Sequence, residues 1–464
     1  MGVAGAALIA TVALLAGGCG GSSGDSKRLG KESAAGSWKP WVLSSPAEVA
    51  VPPPPAAGSA AAKRDMQELA AAQRDSAAVA RARAQSHDPV VQPWLSRAMT
   101  LVSQREKNPP RASRAYGIVS VAMYDAAVAA AYWRERYKHT SSGVKSGPSY
   151  PSEVAAVAGA GSRAVGYTFA EASRSRLDAA ADDVARSQVV TGASSPLDAQ
   201  RGLALGRAVA DKVIARAKTD GSDRRWDGKR PPHTPQYWDP PPGSLARPVE
   251  PLAGTWRTWL MTRGSEFRAP PPPKFGSPQF LDEARELVRI RNNLTAQQKQ
   301  IATFWAGGQG TPLPPGIWNQ VMFGYVRGKH LGVASQTRVF ALLNVAMDDA
   351  GIAAWDTKFT YWNPRPENAI RDSGVDRHFK PFLNTPFFPA YVSGHSTYSA
   401  AAGEILAHLF PKDAKLWRAK GREAGYSRLL GGIHWRSDNV WGLSMGLKIG
   451  RLAVQHAERD GAEK

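Results

Sequence analysis

The sequence predicts an all-α protein, folded as a helical bundle or a pair of bundles. Three observations lead there. From about residue 89 apolar residues recur at helical spacing over most of the chain. Many of those positions are alanine, whose small side chain lets helices pack closely. Alternating apolar and polar runs of the kind that make strands are hard to find. With 464 residues, 43% of them hydrophobic, the chain has material for two ordinary domains or one large helical one.

Each element follows in order. The apolar run ALIATVALLAGG, from Ala7, is too short to cross a bilayer and reads as the core of a signal peptide over residues 1–19. Its ending, LAGGC, has the form of a lipoprotein box that makes Cys19 the lipidated residue. Export follows, to the extracellular space or to a membrane-anchored lipoprotein. Cys19 is the sole cysteine, so no intrachain disulfide forms. Residues 20–88 read as a tether rich in Gly, Ser, Ala and Pro, followed by a surface helix over about 61–86.

Residues 89–278 read as an N-terminal helical region. In 111–133, Ala115, Val119, Ala122, Ala126 and Ala130 share one face; 152–186 and 197–218 also read as helices. Proline density rules out long helices in 219–278. Trp226, Trp238, Trp256 and Trp259 make that stretch a packed loop, expected to lie over a site. Residues 279–464 read as a C-terminal helical domain with helices near 279–291, 296–307, 316–329, 334–357, 396–410, 412–426 and 437–458. Thr295 and Gln298 form a capping box at the start of the second of these. No fixed-period repeat is legible, and no other stretch has eighteen uninterrupted apolar residues.

The formal charge of +20 favours anionic partners. No nucleic-acid motif accompanies it, which leaves small anions, an anionic lipid surface or a plain solvated basic surface. The residues that suit an anion sit in three stretches: KFTYWNPRP (358–366), SGH (393–395) and SRLLGGIHWRSD (427–438). Lys358, Arg365 and Arg428 supply one ammonium and two planar guanidinium forks. Ser393 and the amide of Gly394 open a helix, where N–H groups favour anions. His395 is placed to move a proton. Asp438, one helical turn after His434, can hold Nδ1–H of His434 and leave Nε2 free. Asp348 and Asp349 read as structural ion-pairing groups, with Mg²⁺ binding as the other reading. His87, His139, His233, His330, His378, His408 and His456 show no close metal-ligand spacing, and there is neither an HExxH motif nor a phosphate-binding P-loop.

Taken together, the three stretches resemble the signature K-x6-RP, PSGH, SR-x5-H-x3-D of the type 2 phosphatidic acid phosphatase superfamily, which includes the vanadium-dependent haloperoxidases. Val392 stands where that signature usually has Pro. The resemblance implies that Lys358, Arg365 and Arg428 cradle an oxyanion with Ser393 and Gly394. His395 would be the acid/base. His434 would be the axial vanadate ligand, hence the metal position, or the phosphorus-attacking nucleophile. It also implies two chemistries. In a haloperoxidase vanadate is the cofactor, the substrates are hydrogen peroxide and halide, and Lys358 polarises the peroxide. In an acid phosphatase the substrate is a phosphate ester and there is no cofactor. A non-catalytic oxyanion-binding protein is the third alternative. The long helical region before the site, the AMYDAA run near Arg114, and Trp355 and Phe388 at positions that look like chloroperoxidase pocket lining point to the haloperoxidase branch. Related haloperoxidases are often dimers, so a homodimer is expected.

Overall fold

The structure is a computed structural model that describes residues 27–85, 89–105, 108–144, 147, 149–170, 172–240 and 247–464. The signal-peptide stretch and Cys19 lie outside them. Among the described residues there are fifteen α-helices and no strand. Seven form a first series: α1 (Ala60–Ala72), α2 (Ser76–Gln85), α3 (Gln92–Gln104), α4 (Pro109–Tyr137), α5 (Glu153–Thr168), α6 (Arg174–Val190) and α7 (Pro196–Ala217). Eight follow: α8 (Pro278–Asn292), α9 (Ala296–Phe304), α10 (Leu313–Val326), α11 (Val333–Tyr361), α12 (Pro366–Asp372), α13 (Gly394–Leu409), α14 (Ala414–Leu430) and α15 (Arg436–Ala457).

The second series repeats the first, a relation the sequence pattern did not disclose. Helices α4 and α11 are both 29 residues long, α5 and α13 both 16, α6 and α14 both 17, and α7 and α15 both 22. Equivalent positions make equivalent bonds. Arg114 Nε donates to Asp220 (2.6 Å), and Arg338 Nε donates to Asp460 (2.6 Å). The Asp125 carboxylate accepts the N–H groups of Trp41, Val42 and Leu43; that of Asp349 accepts those of Trp259, Leu260 and Met261. Glu48 caps Ser44 as Glu266 caps Thr262. The long helices α4 and α11 pack together at the centre, where Asn344 Nδ2 donates to Ser120 Oγ at 3.0 Å; these two residues are themselves equivalents. Helix α4 is long and apolar enough to cross a membrane, but it is buried in this core. Gly202 and Gly206 bring α7 against α5, and Gly442 and Gly446 bring α15 against α13; a Cβ at 206 would lie 1.9 Å from Ala156 O and one at 446 would lie 2.2 Å from Thr397 O.

Two straps cross between the series. In residues 38–51, Lys39 N–H donates to Asp460 O and Trp41 stacks on His456 at 3.8 Å, while Trp41 N–H is held by Asp125. In 256–269, Arg257 N–H donates to Asp220 O and Arg216 lies 3.5 Å over Trp259, while Trp259 N–H is held by Asp349.

Several expectations are corrected. The segment expected as a tether is packed from residue 27 to 51: Trp38 is fully buried and Leu43 nearly so, because Trp38 finds apolar partners on α4 and α11, among them Tyr124, Val128, Ala334 and Ala341. Asp348 and Asp349 make no ion pair among the described residues; they accept hydrogen bonds that hold the second strap. The stretch 152–186 is two helices, since Ser173 caps α6. Helix α11 continues past Lys358 to Tyr361 and ends on Trp362 at φ 52°. Arg365 has extended backbone as the N-cap residue of a short helix the sequence did not reveal, α12, and Pro366 takes its first helical position, where it fits.

Candidate active site

The site forms where α11, α12, α13, α14 and α15 meet. Ser393 caps α13: its Oγ accepts the Ser396 N–H at 3.2 Å and its own N–H donates to Asp438 O at 3.0 Å. The peptide bond before Val392 is cis. Gly394 opens the helix, and a Cβ there would come no closer than 3.5 Å to Trp355. The first-turn amides of α13 have no carbonyl partner inside the helix. Asp438 sits in the first turn of α15 and accepts Nδ1–H of His434 at 2.7 Å and Trp435 N–H at 3.1 Å. The carboxylate fixes the tautomer, so the lone pair of His434 lies on Nε2. Arg365 reaches that atom, with Nη1 at 3.0 Å, and also donates to Ile433 O (2.9 Å) and Phe388 O (2.8 Å). Its Nη2 is buried with no partner.

Lys358 is fully buried, and its three protons go to the carbonyls of Pro389, Ala390 and Val392 at 2.9, 2.8 and 2.6 Å. Here it contributes charge rather than a spare donor. Arg428 donates to Ser427 Oγ, Ala302 O and Ala306 O. His395, half-buried, donates Nε2–H to Trp305 O at 2.8 Å; a carbonyl can only accept, so its lone pair is on Nδ1. Trp355 and Phe388 pack with ring centroids 5.0 Å apart, and Lys358 Nζ lies 5.7 and 5.3 Å from those rings.

The electrostatics explain what the cluster can hold. Burial lowers the pKa of Lys358 well below its ordinary value and brings Arg365 and Arg428 down to about 9. Burial also lowers His434 and His395, as do the nearby cations: Arg365, Lys358 and Arg428 act on both imidazoles. Mutual influence of this kind places all five groups in one field. Burial pushes the Asp438 carboxyl upward against the pull of Lys358. Among the described residues Asp438 is the one carboxylate whose charge reaches Lys358 and Arg365, and none reaches Arg428. Two of the three buried cations thus share one carboxylate and the third has none, although an uncompensated buried charge costs several kcal/mol. The spare donor of Arg365 and this excess charge fit a tetrahedral oxyanion such as phosphate or vanadate.

All of Lys358, Arg365, Ser393, Gly394, His395, Arg428, His434 and Asp438 are therefore brought together, with Trp355 and Phe388 at the wall. The expected loop lies beside them. Trp355 Nε1 donates to Val249 O, Val249 N–H to Phe387 O, and Tyr391 OH to Pro270 O. Sequence reasoning missed the C-terminal end of α9, whose Ala302, Trp305 and Ala306 carbonyls accept from Arg428 and His395. Only the glycines of WAGGQGTP hinted at a chain turning close to other groups.

Several known proteins resemble this chain, chiefly over its C-terminal bundle. A family model of the second helical-bundle domain of vanadium chloroperoxidase matches residues 338–421 and 415–461. Over 206 residues the chain is 27% identical to vanadium chloroperoxidase of Curvularia inaequalis, covering 36% of this chain and 34% of that protein. Over 196 residues it is 24% identical to a non-specific acid phosphatase of Salmonella typhi, covering 38% of this chain and 67% of that one. These similarities support placing the C-terminal bundle in the superfamily of type 2 phosphatidic acid phosphatases and vanadium-dependent haloperoxidases. The match spans about a third of the curated chloroperoxidase. The fold extends further: a bacterial vanadium-dependent iodoperoxidase superposes with a TM-score of 0.66 at 23% identity, over 79% of this chain and 96% of that one. A bacterial vanadium-dependent chloroperoxidase superposes with a TM-score of 0.59 at 17% identity, over 76% and 94%.

Proposed function

We propose that this superfamily member is a vanadate-dependent haloperoxidase that oxidises halide with hydrogen peroxide. The observation that carries the reading is the cluster of three buried cations and two neutral imidazoles around one carboxylate, with a donor of Arg365 to spare. Vanadate would be held by Arg365, Lys358, Arg428, Ser393 and the Gly394 amide, with His434 Nε2 as its ligand. When bound it supplies a Lewis acid that changes no oxidation state.

The chain's own groups do the rest. Asp438 keeps the proton of His434 on Nδ1, so that Nε2 faces the guest. His395 Nδ1 is a proton acceptor in the free protein because burial, and then the cations, hold its pKa down; a bound anion offsets the field of the cations and lets the same atom carry a proton. Lys358 adds positive charge next to the aromatic wall of Trp355 and Phe388, which suits polarisation of a peroxide oxygen and partial dehydration of a halide. By sequence the chloroperoxidase and the Salmonella typhi phosphatase match similar shares of the chain, 36% and 38%, while the fold of the two bacterial peroxidases continues over 79% and 76% of it.

The second reading is an acid phosphatase, favoured by the similarity to that enzyme. There His434 Nε2 would attack phosphorus, His395 would protonate the departing alcohol oxygen, and water would release phosphate. A third reading is oxyanion binding without turnover. Purified protein, given vanadate, is tested for peroxide-dependent bromination of an indicator dye beside hydrolysis of a phosphomonoester. Bromination supports the first reading; fast phosphate release without bromination overturns it; neither activity, with tight phosphate binding, selects the third. Export with a lipid on Cys19 and a homodimeric state complete the proposal. Palmitate labelling that is lost in Cys19→Ser, and mass measurement in solution, check them.

A further inference from the structure

The two helical series allow the site to be compared with its own equivalent inside the same chain. Lys358 lies fourth from the C-terminal end of α11, and Arg134 lies fourth from the end of α4; both helices close on a left-handed residue, Trp362 and Lys138. Ser393 caps α13 and Ser152 caps α5, and the N–H of each donates to the carbonyl oxygen of the equivalent aspartate, Asp438 or Asp198, at 3.0 Å. Asp438 and Asp198 each stand third in their helices and accept a backbone N–H there at 3.1 Å. On this register Ser194 replaces His434, Gln188 replaces Arg428 and Val154 replaces His395. The nucleophile or ligand, the acid/base and two cations are missing from the first series: Gln188 stands for Arg428, and Arg365 belongs to the segment with α12, which has no counterpart there.

One replacement runs the other way. Gly394, the open floor of the C-terminal site, corresponds to Glu153. Glu153 is 7% exposed; its Oε2 lies 2.8 Å from Arg134 Nη1, and its Oε1 is buried with no partner. An acidic side chain thus grows from the backbone position that, next to Lys358, carries none, and it meets the cation equivalent to Lys358. We propose that Glu153 is a built-in anion, which fills in the N-terminal series the place that an external oxyanion takes in the C-terminal one. The N-terminal series is then a silenced copy of the site, neutralised from within. This rests on the reading that the C-terminal cluster binds an oxyanion.

The test transplants the device. Burial pushes Glu153 up to about 7, so measurements are made at pH 8, where the carboxyl is ionised. Gly394→Glu and the neutral, equally large Gly394→Gln are compared with the wild type by thermal unfolding, with and without orthovanadate. A Cβ at 394 meets only ordinary contacts, so both variants fit the backbone. Gly394→Glu is expected to melt above Gly394→Gln by at least about 2 °C and to lose the stabilisation by vanadate that the wild type shows. Equal or reversed melting temperatures, or full vanadate stabilisation of Gly394→Glu, would overturn the proposal. The mirror variant, Glu153→Ala in the Gly394→Glu background, should melt lower and be restored by formate, which returns a carboxylate to Arg134. A melting temperature unmoved by formate counts against it. If vanadate and phosphate fail to stabilise the wild type, it is the functional reading that fails.

Discussion

Arg365→Lys isolates the guanidinium fork. In the native protein Nε holds Phe388 O, Nη1 holds Ile433 O and reaches His434 Nε2, and Nη2 has no protein partner. A lysine keeps the charge but has one nitrogen, which cannot serve the two carbonyls and a guest from their separate directions. The guest loses at least one charge-assisted hydrogen bond, about 1.5–3 kcal/mol, or roughly a tenfold to 150-fold rise in the vanadate Kd. If the ammonium stays with the guest, Phe388 O and Ile433 O are left without their donor, at about 1–3 kcal/mol each, so the unliganded protein also melts lower. Vanadate titration followed by ⁵¹V NMR gives the first quantity and thermal unfolding the second. A variant whose vanadate affinity is unchanged while its melting temperature falls would show that Arg365 only braces the loop, and would refute the direct contact.

Other changes probe other parts. His434→Ala should abolish turnover, measured as dye bromination and phosphate release, since it removes the Nε2 lone pair; retained turnover would contradict the assignment. Asp438→Asn should lower kcat by about 10²-fold or more, because the carboxylate that orients His434 is gone; a changed KM alone would argue for a purely structural role. Asp125→Ala and Asp349→Ala each leave three N–H groups without an acceptor and should each cost at least about 3 kcal/mol in urea unfolding, agreeing within about 1 kcal/mol if the halves are equivalent. The imidazoles of His395 and His434 have folded pKa values below the unfolded value near 6.5. Their contribution to stability is therefore complete above about pH 6.5 and is lost as the pH falls below it, by about 1.4 kcal/mol per unit per histidine. Saturating phosphate should flatten that loss, and melting curves from pH 5 to 8 with and without phosphate check it.

The site was legible because its chemistry is local. Lys358, Arg365, Ser393, His395, Arg428, His434 and Asp438 stand in short stretches whose spacing is set by single helix turns and caps. Helical character was legible for the same reason, from alanine at regular intervals. The internal repeat was not, since the connection from α4 to α5 spans 138–152, whereas that from α11 to α13 spans 362–393 and contains α12. No fixed period survives an insertion of that size, and Ser194 against His434 or Glu153 against Gly394 hides the kinship from residue type. The packed stretch 27–51 escaped for another reason. Its composition is that of a linker, and what holds it is distant: the buried carboxylate of Asp125 and the ring of His456. Composition cannot show that a partner lies some eighty or four hundred residues away. The carbonyls of Ala302, Trp305 and Ala306 left no mark because they are backbone atoms that any residue would supply.

The crossed straps bind the polypeptide to itself like clasped hands. The one near Trp41 grips the last helix of the second series, and the one near Trp259 grips the last helix of the first. A nick in the backbone between α7 and Trp256 would therefore not free either piece. Two separately translated fragments would each lack the clasp that the other provides, and would gain order only by pairing. The fold has the form of an intertwined dimer written as one polypeptide, each half held by a strap from the other.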